Sequence, residues 1–384
     1  MTPDAPPVSV GVLREHDGAG GPASSGAGER RVALVPEVAG RLVREGFAVV
    51  VERGAGSAAF FPDAAYEAAG AVLGDRSVVL AADVLACLRV PDAGLSPSLH
   101  PGQVVVGLLA LGGHAEEAHA LAAAGAVALD LALLPRTLSR AQAMDALTSQ
   151  ASVAGYRAAI VAAESFGRFF PMMITAAGTA KPAQVLVLGT GVAGLQAIGT
   201  ARRLGAQVTG YDIRPSSADE VRSLGATFLR LTSAPEGAGE GGYARELTED
   251  ERAAQQAELA GHVARFDVVI TTAQVPGRRP PVLVTAETVA AMRPGSVVVD
   301  LGASALGGNV EGSVPDERVV TPGGVTLLGA GNLASELPTA ASSAYARNVA
   351  AVLRAVVRDG RLDLDADDDV IRAIRVPALE EVRA

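Results

Sequence analysis

The sequence predicts an α/β protein with two Rossmann-like domains, each built on a mainly parallel sheet, joined by a long helix and with a cleft between them. Three observations carry this. Short β-branched runs alternate with longer Ala-rich amphipathic stretches, the order of βαβ units. The alternation occurs in two separate series. Between the series, Gln142 to about Phe170 is free of Gly except at Gly155 and Gly167 and reads as one long connecting helix.

Taken in order, the first series holds "SVGVL" (9–13), "AVVVERG" (48–54), "DVLACL" (83–88), "QVVVGLL" (103–109) and "AVALDLALL" (126–134). The second holds "QVLVLG" (184–189), "QVTGYD" (207–212), "ATFLRL" (226–231), "DVVITTA" (267–273), "SVVVDLG" (296–302) and "VTLLGA" (325–330). After 330, "GNLASELPTAASSAYARNVAAVLRAVV" reads as loop and then helix, returning to the first domain. The boundaries are 1–145 plus 332–384 for the first domain and 146–331 for the second. A cleft between two α/β domains is a common place for a ligand.

Composition excludes several functions. The 384 residues carry 32 basic and 42 acidic side chains, a net charge of −10, with 3% aromatics, so no nucleic-acid footprint or base-stacking platform is expected. Cys87 is the single cysteine, which rules out a disulfide framework or a thiolate metal site within one chain, and no metal is predicted. Mean hydropathy is +0.30, yet "LAAAGAVALDLALL" is interrupted by Asp130 and is shorter than the ~20 residues of a membrane span. The N-terminus lacks the basic and continuous apolar regions of a signal peptide, and a cytoplasmic protein is expected. "EHDGAGGPASSGAGERR" reads as a flexible surface loop, and "DLDADDD" near the C-terminus as solvated. "SAPEGAGEGGYARELTEDE" is either a disordered connector or a lid carrying Tyr243.

The strongest motif is "VLVLGTGVAGLQAIGTARRLGAQVTGYDIR". Gly189, Gly191 and Gly194 form GxGxxG between a β run and a helical one, and Asp212 ends the next strand. Gly189 allows the tight turn, Gly191 lets backbone approach a pyrophosphate, and Gly194 lets helix and strand pack closely. The helix N-terminus offers N–H groups to the phosphates. Asp212 suits a ribose 2′-hydroxyl and repels a 2′-phosphate, pointing to NAD, although Arg214 two residues on offers a compensating charge. The cofactor-contacting residues of the motif are Gly189, Gly191, Val192, Ala193, Gly194, Asp212, Ile213 and Arg214.

"PRTLSRAQAMDALTSQ" (135–150) admits two readings. Ser139 and Gln142 have the spacing of a capping box. Alternatively, Gln142, Asp145 and Thr148 or Ser149 share one helix face.

"SRAQAMDALTSQASVAGYRAAI", "FGRFFPMMITAAGTAKPAQVLVLGTGVAGLQAIGTARRLGA", "GGYAREL", "TTAQVPGRRPPVLVT" and "GSVVVDLG" resemble the NAD(H)-binding alpha subunit of proton-translocating NAD(P) transhydrogenase, in order over nearly the whole chain. The opening "GVLRE…GERRVALVPE" is shared with alanine dehydrogenase, which has the same fold. The resemblance implies hydride transfer between NAD(H) on this chain and NADP(H) on a partner, coupled to proton movement through a membrane-spanning subunit. It also implies a homodimer, with "FFPMMITAAG" as a candidate interface or a part of the chain's own core.

By the same resemblance, Arg136, Gln142 and Asp145 position the nicotinamide ring, with Thr148 where the family commonly has serine, Tyr243 sits on a loop that closes over nucleotide, and Gly242, Thr272 and Ala273 complete the cofactor-contacting set. Five residues separate Arg136 from Gln142 where the family usually has four, so Arg140 competes for the arginine role, and the "PR" context favours Arg136. The alternative functions are an alanine-dehydrogenase-like enzyme and an NAD-binding module without activity. The first needs a lysine and a histidine where this sequence has Cys87 and Gly107.

Overall fold

The computed structural model describes residues 6–15, 28–91, 98–135, 138–176, 178–233, 249–274, 279–364 and 368–376. They form two compact units, the first running to Gln150 and resuming at Ser335, the second Ala151–Ala334.

In the first unit, β1 (Ser9–Val12), β2 (Ala48–Glu52), β3 (Val72–Gly74), β4 (Val84–Ala86), β5 (Val104–Gly107) and β6 (Val127–Asp130) form one sheet in the order β3-β2-β1-β4-β5-β6. Every neighbouring pair is parallel. The helices α1 (Pro36–Arg44), α2 (Asp63–Ala68), α3 (Arg76–Leu80) and α4 (Ala115–Ala123) lie on its crossovers. Alternate residues feed opposite faces: Val104 and Val106 enter one core, Val105 the other. The edge strand β3 is a three-residue strand that the sequence reading does not anticipate.

The connecting helix α5 covers Ala146–Ser165, shorter at both ends than the expected Gln142 to Phe170. Ser139–Met144 is a 3-10 turn instead. Asp145 accounts for the break, because its Oδ1 accepts from the Thr148 N–H at 2.8 Å and so caps the α-helix itself. The Ser139–Gln142 capping box is therefore not what starts this helix.

The second unit opens with an antiparallel hairpin, β7 (Met173–Thr175) and β8 (Gly178–Ala180). Then come β9 (Gln184–Leu188), β10 (Gln207–Tyr211), β11 (Thr227–Phe228), β12 (Val268–Thr271), β13 (Val297–Asp300), β14 (Arg318–Val320) and β15 (Thr326–Gly329). Their order is β11-β10-β9-β12-β13-β15-β14, parallel except for the edge strand β14. The helices are α6 (Val192–Arg203), α7 (Ser217–Ser223), α8 (Glu249–Val263) and α9 (Ala286–Ala290). Val185 and Val187 of β9 enter one core, Leu186 and Leu188 the other. Both sheets thus place their first strand beside their fourth, the point where a doubly wound fold reverses and where ligands bind.

Beyond the second unit, α10 (Pro338–Val356) and α11 (Asp369–Ile374) belong to the first. Tyr345, Val349, Val352 and Leu353 of α10 share a core with Val10 and Val12 of β1. Asp368 is not simply solvated: it caps α11 through the N–H groups of Val370 and Ile371 and pairs with Arg140.

Candidate functional site

The glycine turn in the second unit follows β9, at the switch point between β9 and β12. Gly189 has φ +91°, a left-handed conformation, and a Cβ there would meet the Thr272 Oγ1 at 2.7 Å. At Gly194 a Cβ would lie 2.0 Å from the Gly189 carbonyl oxygen. Gly191 differs, because a Cβ there would meet nothing within 4 Å. Two glycines close the turn and the third faces open space. Gly191 is also the N-cap of α6, so the first-turn amides at Val192 and Ala193 have no intrahelical acceptor. Gly155 completes the packing: a Cβ on it would lie 2.1 Å from the Ala193 carbonyl oxygen, so glycine is what brings α5 against the start of α6.

Asp212 closes the other side of the turn. Its Oδ2 accepts from the Thr190 N–H at 2.9 Å and hydroxyl at 3.1 Å, and its Oδ1 from the Arg214 N–H and Nε at 2.9 and 3.0 Å. Burial opposes its ionisation, but the Arg214 side chain and the two backbone N–H groups outweigh that and hold the carboxyl below its usual range. The Arg214 guanidinium is engaged by both oxygens of Asp212, with Nη2 3.2 Å from Oδ2. Ile213 is 63% exposed. Thr272 donates to the Gly189 carbonyl at 3.0 Å, and the Ala273 carbonyl accepts from Asn309 at 2.8 Å. Sequence reasoning missed Thr190, the fully buried residue between the first two glycines; its hydroxyl, one position from the turn, was the available signal.

In the first unit, Gln142 is exposed on the 3-10 turn, and Asp145 and Thr148 meet at the start of α5, where Thr148 Oγ1 donates to Asp145 Oδ2 at 2.6 Å. Gln142 and Ser149 line a cavity of about 440 Å³. Arg136, Gly242 and Tyr243 lie outside the described residues. Arg140 is committed elsewhere, with Nη1 and Nη2 each 3.1 Å from the Asp368 carboxylate and a further pairing to Asp369.

The end of the predicted surface loop departs from expectation. Glu29 and Arg31 are buried and paired, with Nε–Oε1 and Nη2–Oε2 both 2.7 Å, and Arg31 Nη1 donates to Gln150 on α5 at 2.8 Å. Against the cost of burial, this pairing holds the Glu29 carboxyl down to about 2. Glu15 moves the other way, raised to about 7 by desolvation despite the Leu88 N–H it accepts. A Gly-rich composition suggests a solvated loop and gives no sign that its last residues fold back.

Cys87 directly follows β4 and Gly107 ends the adjacent strand β5, both enclosed. A Cβ at Gly107 would lie 2.6 Å from the Cys87 carbonyl oxygen, which also accepts from the Tyr345 hydroxyl at 2.7 Å. The backbone here has no room for a histidine, and the Cys87 thiol is raised well above its usual range by burial. His114 and His119 are exposed, as expected of a solvated helix face.

Residues 22–154 match the family described as alanine dehydrogenase/PNT, N-terminal domain, and residues 158–381 its C-terminal domain. The chain is 42% identical over 363 residues to an NAD(P) transhydrogenase subunit alpha from Cereibacter sphaeroides, covering 93% of this chain and 69% of that one. A crystal structure of transhydrogenase from Sinorhizobium meliloti superposes with a TM-score of 0.83 at 40% identity, covering 96% of this chain and 97% of that one. An alanine dehydrogenase from Bacillus subtilis is more distant, 29% identical with 90% of this chain and 87% of that one covered. The chain therefore belongs to the alanine dehydrogenase/PNT family, and within it to the NAD(P) transhydrogenase alpha subunits.

Proposed function

We propose that the chain binds NAD(H) on the glycine turn of its second unit and exchanges hydride with NADP(H) held by a separate polypeptide. The observation that carries this is the division of labour among the glycines: Gly189 and Gly194 are filled by backbone and Thr272, while Gly191 opens onto free space at the first amides of α6. The nicotinamide ring supplies the hydride chemistry; the chain's residues bind, orient and exclude water. The turn amides at Val192 and Ala193 hold the pyrophosphate, and Asp212 takes the ribose. Arg136, Gln142, Asp145 and Thr148 orient the ring, and Tyr243 closes over it. Arg136 fills the arginine role, because Arg140 is held by Asp368 and Asp369.

The chain works with an NADP-binding subunit and a membrane-spanning subunit that couples transfer to proton movement, at the inner face of the cell membrane. Among the described residues no helix is long and apolar enough to cross a membrane. A second copy of the chain covers the hairpin β7–β8, where Met172, Met173 and Ile174 are exposed although Phe166 and Phe170 beside them are buried.

The test mixes the purified chain with an NADP-binding transhydrogenase subunit and follows hydride transfer from NADH to an NADP analogue. Transfer is expected. NADH binding without transfer would reduce the chain to a binding module, and pyruvate formation from alanine and NAD would reinstate the dehydrogenase reading.

A further inference from the structure

Gln142, Asp145 and Thr148, three of the residues proposed to orient the nicotinamide ring, lie on an irregular segment, a 3-10 turn followed by the first turn of α5. The i→i+3 bonds of a 3-10 turn are poorer in geometry than those of an α-helix, and this run ends at Asp145, so they alone fix its shape only weakly. Something else must hold it.

Asn348, on α10, makes two contacts with it. Its Nδ2 donates to the Ala143 carbonyl at 2.8 Å, and its Oδ1 accepts from the Ser149 hydroxyl at 2.7 Å. Ala143 directly follows Gln142, and the pair Ala143 and Ser149 brackets Asp145 and Thr148. Asn348 is 8% exposed, and α10 beneath it is anchored in the apolar core through Tyr345, Val349 and Val352, so the amide is presented from a rigid element. Gln150 adds a third tie, donating to the Ala341 carbonyl of α10 at 3.1 Å. The cavity lined by Gln142 is also lined by Ser149 and Asn348.

We infer that Asn348 is a positioning residue for hydride transfer: its side-chain amide sets the separation of Gln142 from Asp145 and Thr148 without itself touching the nucleotide. This rests on the proposed role of those three residues. Asparagine is suited to the task because one planar group donates to one segment and accepts from the other. Aspartate at the position keeps the acceptor for Ser149 but sets an oxygen against the Ala143 carbonyl, breaking only the tie to the turn.

The experiment uses the full chain with an NADP-binding transhydrogenase subunit and compares wild type, Asn348→Asp and Ser149→Ala. A displacement of ~1 Å costs up to ~10²-fold in a reaction governed by near-attack placement, so each variant is expected to slow transfer by about tenfold or more. NADH affinity, set by the glycine turn, is expected to stay within about twofold. The effect is also expected to vanish in a Gln142→Ala background, because a residue acting through Gln142 has nothing left to position. Ser149→Ala removes a hydroxyl at a half-buried site and keeps the test alive if Asn348→Asp fails to fold.

Unchanged transfer in the folded variants, a loss explained by weaker NADH binding, or a loss fully additive with Gln142→Ala would each overturn the inference. Absence of transfer by the wild-type chain would instead sink the proposed function.

Discussion

Gly194 shows how much one missing methyl group carries. The 2.0 Å separation between its would-be Cβ and the Gly189 carbonyl oxygen involves backbone on both sides, so neither partner can swing away. Gly194→Ala is expected to cost at least the ~1–3 kcal/mol of an overpacked core and to weaken NADH binding measurably, read by thermal melts and calorimetry on the same protein. Normal binding would show that the turn is more yielding than its geometry indicates. Gln142 makes the opposite kind of prediction. It is exposed and caps no helix, so Gln142→Asn is expected to leave the melt nearly unchanged while slowing hydride transfer by about tenfold or more, through withdrawal of the amide by one methylene. A lowered melt with a normal transfer rate would return Gln142 to a structural role.

At the scale of elements, the hairpin β7–β8 is the clearest departure from a self-sufficient fold. An isolated two-stranded hairpin is marginal in water, and this one carries Met172, Met173 and Ile174 at 58, 37 and 74% exposure. The proposed coverage by a second copy would resolve both problems at once. Ile174→Asp is expected to convert dimer to monomer in light scattering, with stability of the monomer fold changed by no more than ~0.5 kcal/mol because the site is exposed within one chain. A wild-type chain that is already monomeric would refute the assignment. The helix α10 is the converse case: remote in sequence from the first sheet, it contributes buried side chains to that sheet's core and holds the start of α5 through Asn348.

For the molecule as a whole, two measurements probe its charge and ligand balance. Glu15 is raised from 4.5 to about 7, mainly by desolvation, so the fold favours its protonated form. The sign follows: its contribution is complete below the unfolded value and is lost as pH rises through about 7. The melting temperature is expected to fall from pH 5 to 8, and Glu15→Gln is expected to flatten that slope; an identical slope in the variant would assign the effect elsewhere. The second measurement is nucleotide choice. Asp212 is held ionised and Arg214 is engaged in holding it, so NADPH is expected to bind at least tenfold more weakly than NADH, ~1.4 kcal/mol in calorimetry. Equal affinities would mean that Arg214 leaves Asp212 to meet the 2′-phosphate.

The sequence by itself determined the two β/α series, the tight turn at Gly189 and the close packing at Gly194, because strand alternation, helix periodicity and turn glycines are local requirements that neighbouring residues must meet whatever surrounds them. The sequence also placed Asp212 at the end of the strand after the motif. It did not place the start of α5: Ser139 and Gln142 have good capping spacing, but Asp145 offers a carboxylate nearer the helix and takes the cap. Only the tertiary structure showed that Glu29 and Arg31 leave a Gly-rich loop to form a buried pair, that Arg140 belongs to Asp368, and that Asn348 reaches Ala143 and Ser149. Those contacts span from two to over two hundred residues of chain, and no spacing rule connects them. The buried contacts, Glu29 with Arg31 and Asn348 with Ala143 and Ser149, depend on what the first unit's core excludes from water, and the exposed Arg140–Asp368 pair on α11 lying beside the turn, neither of which exists until that unit has formed.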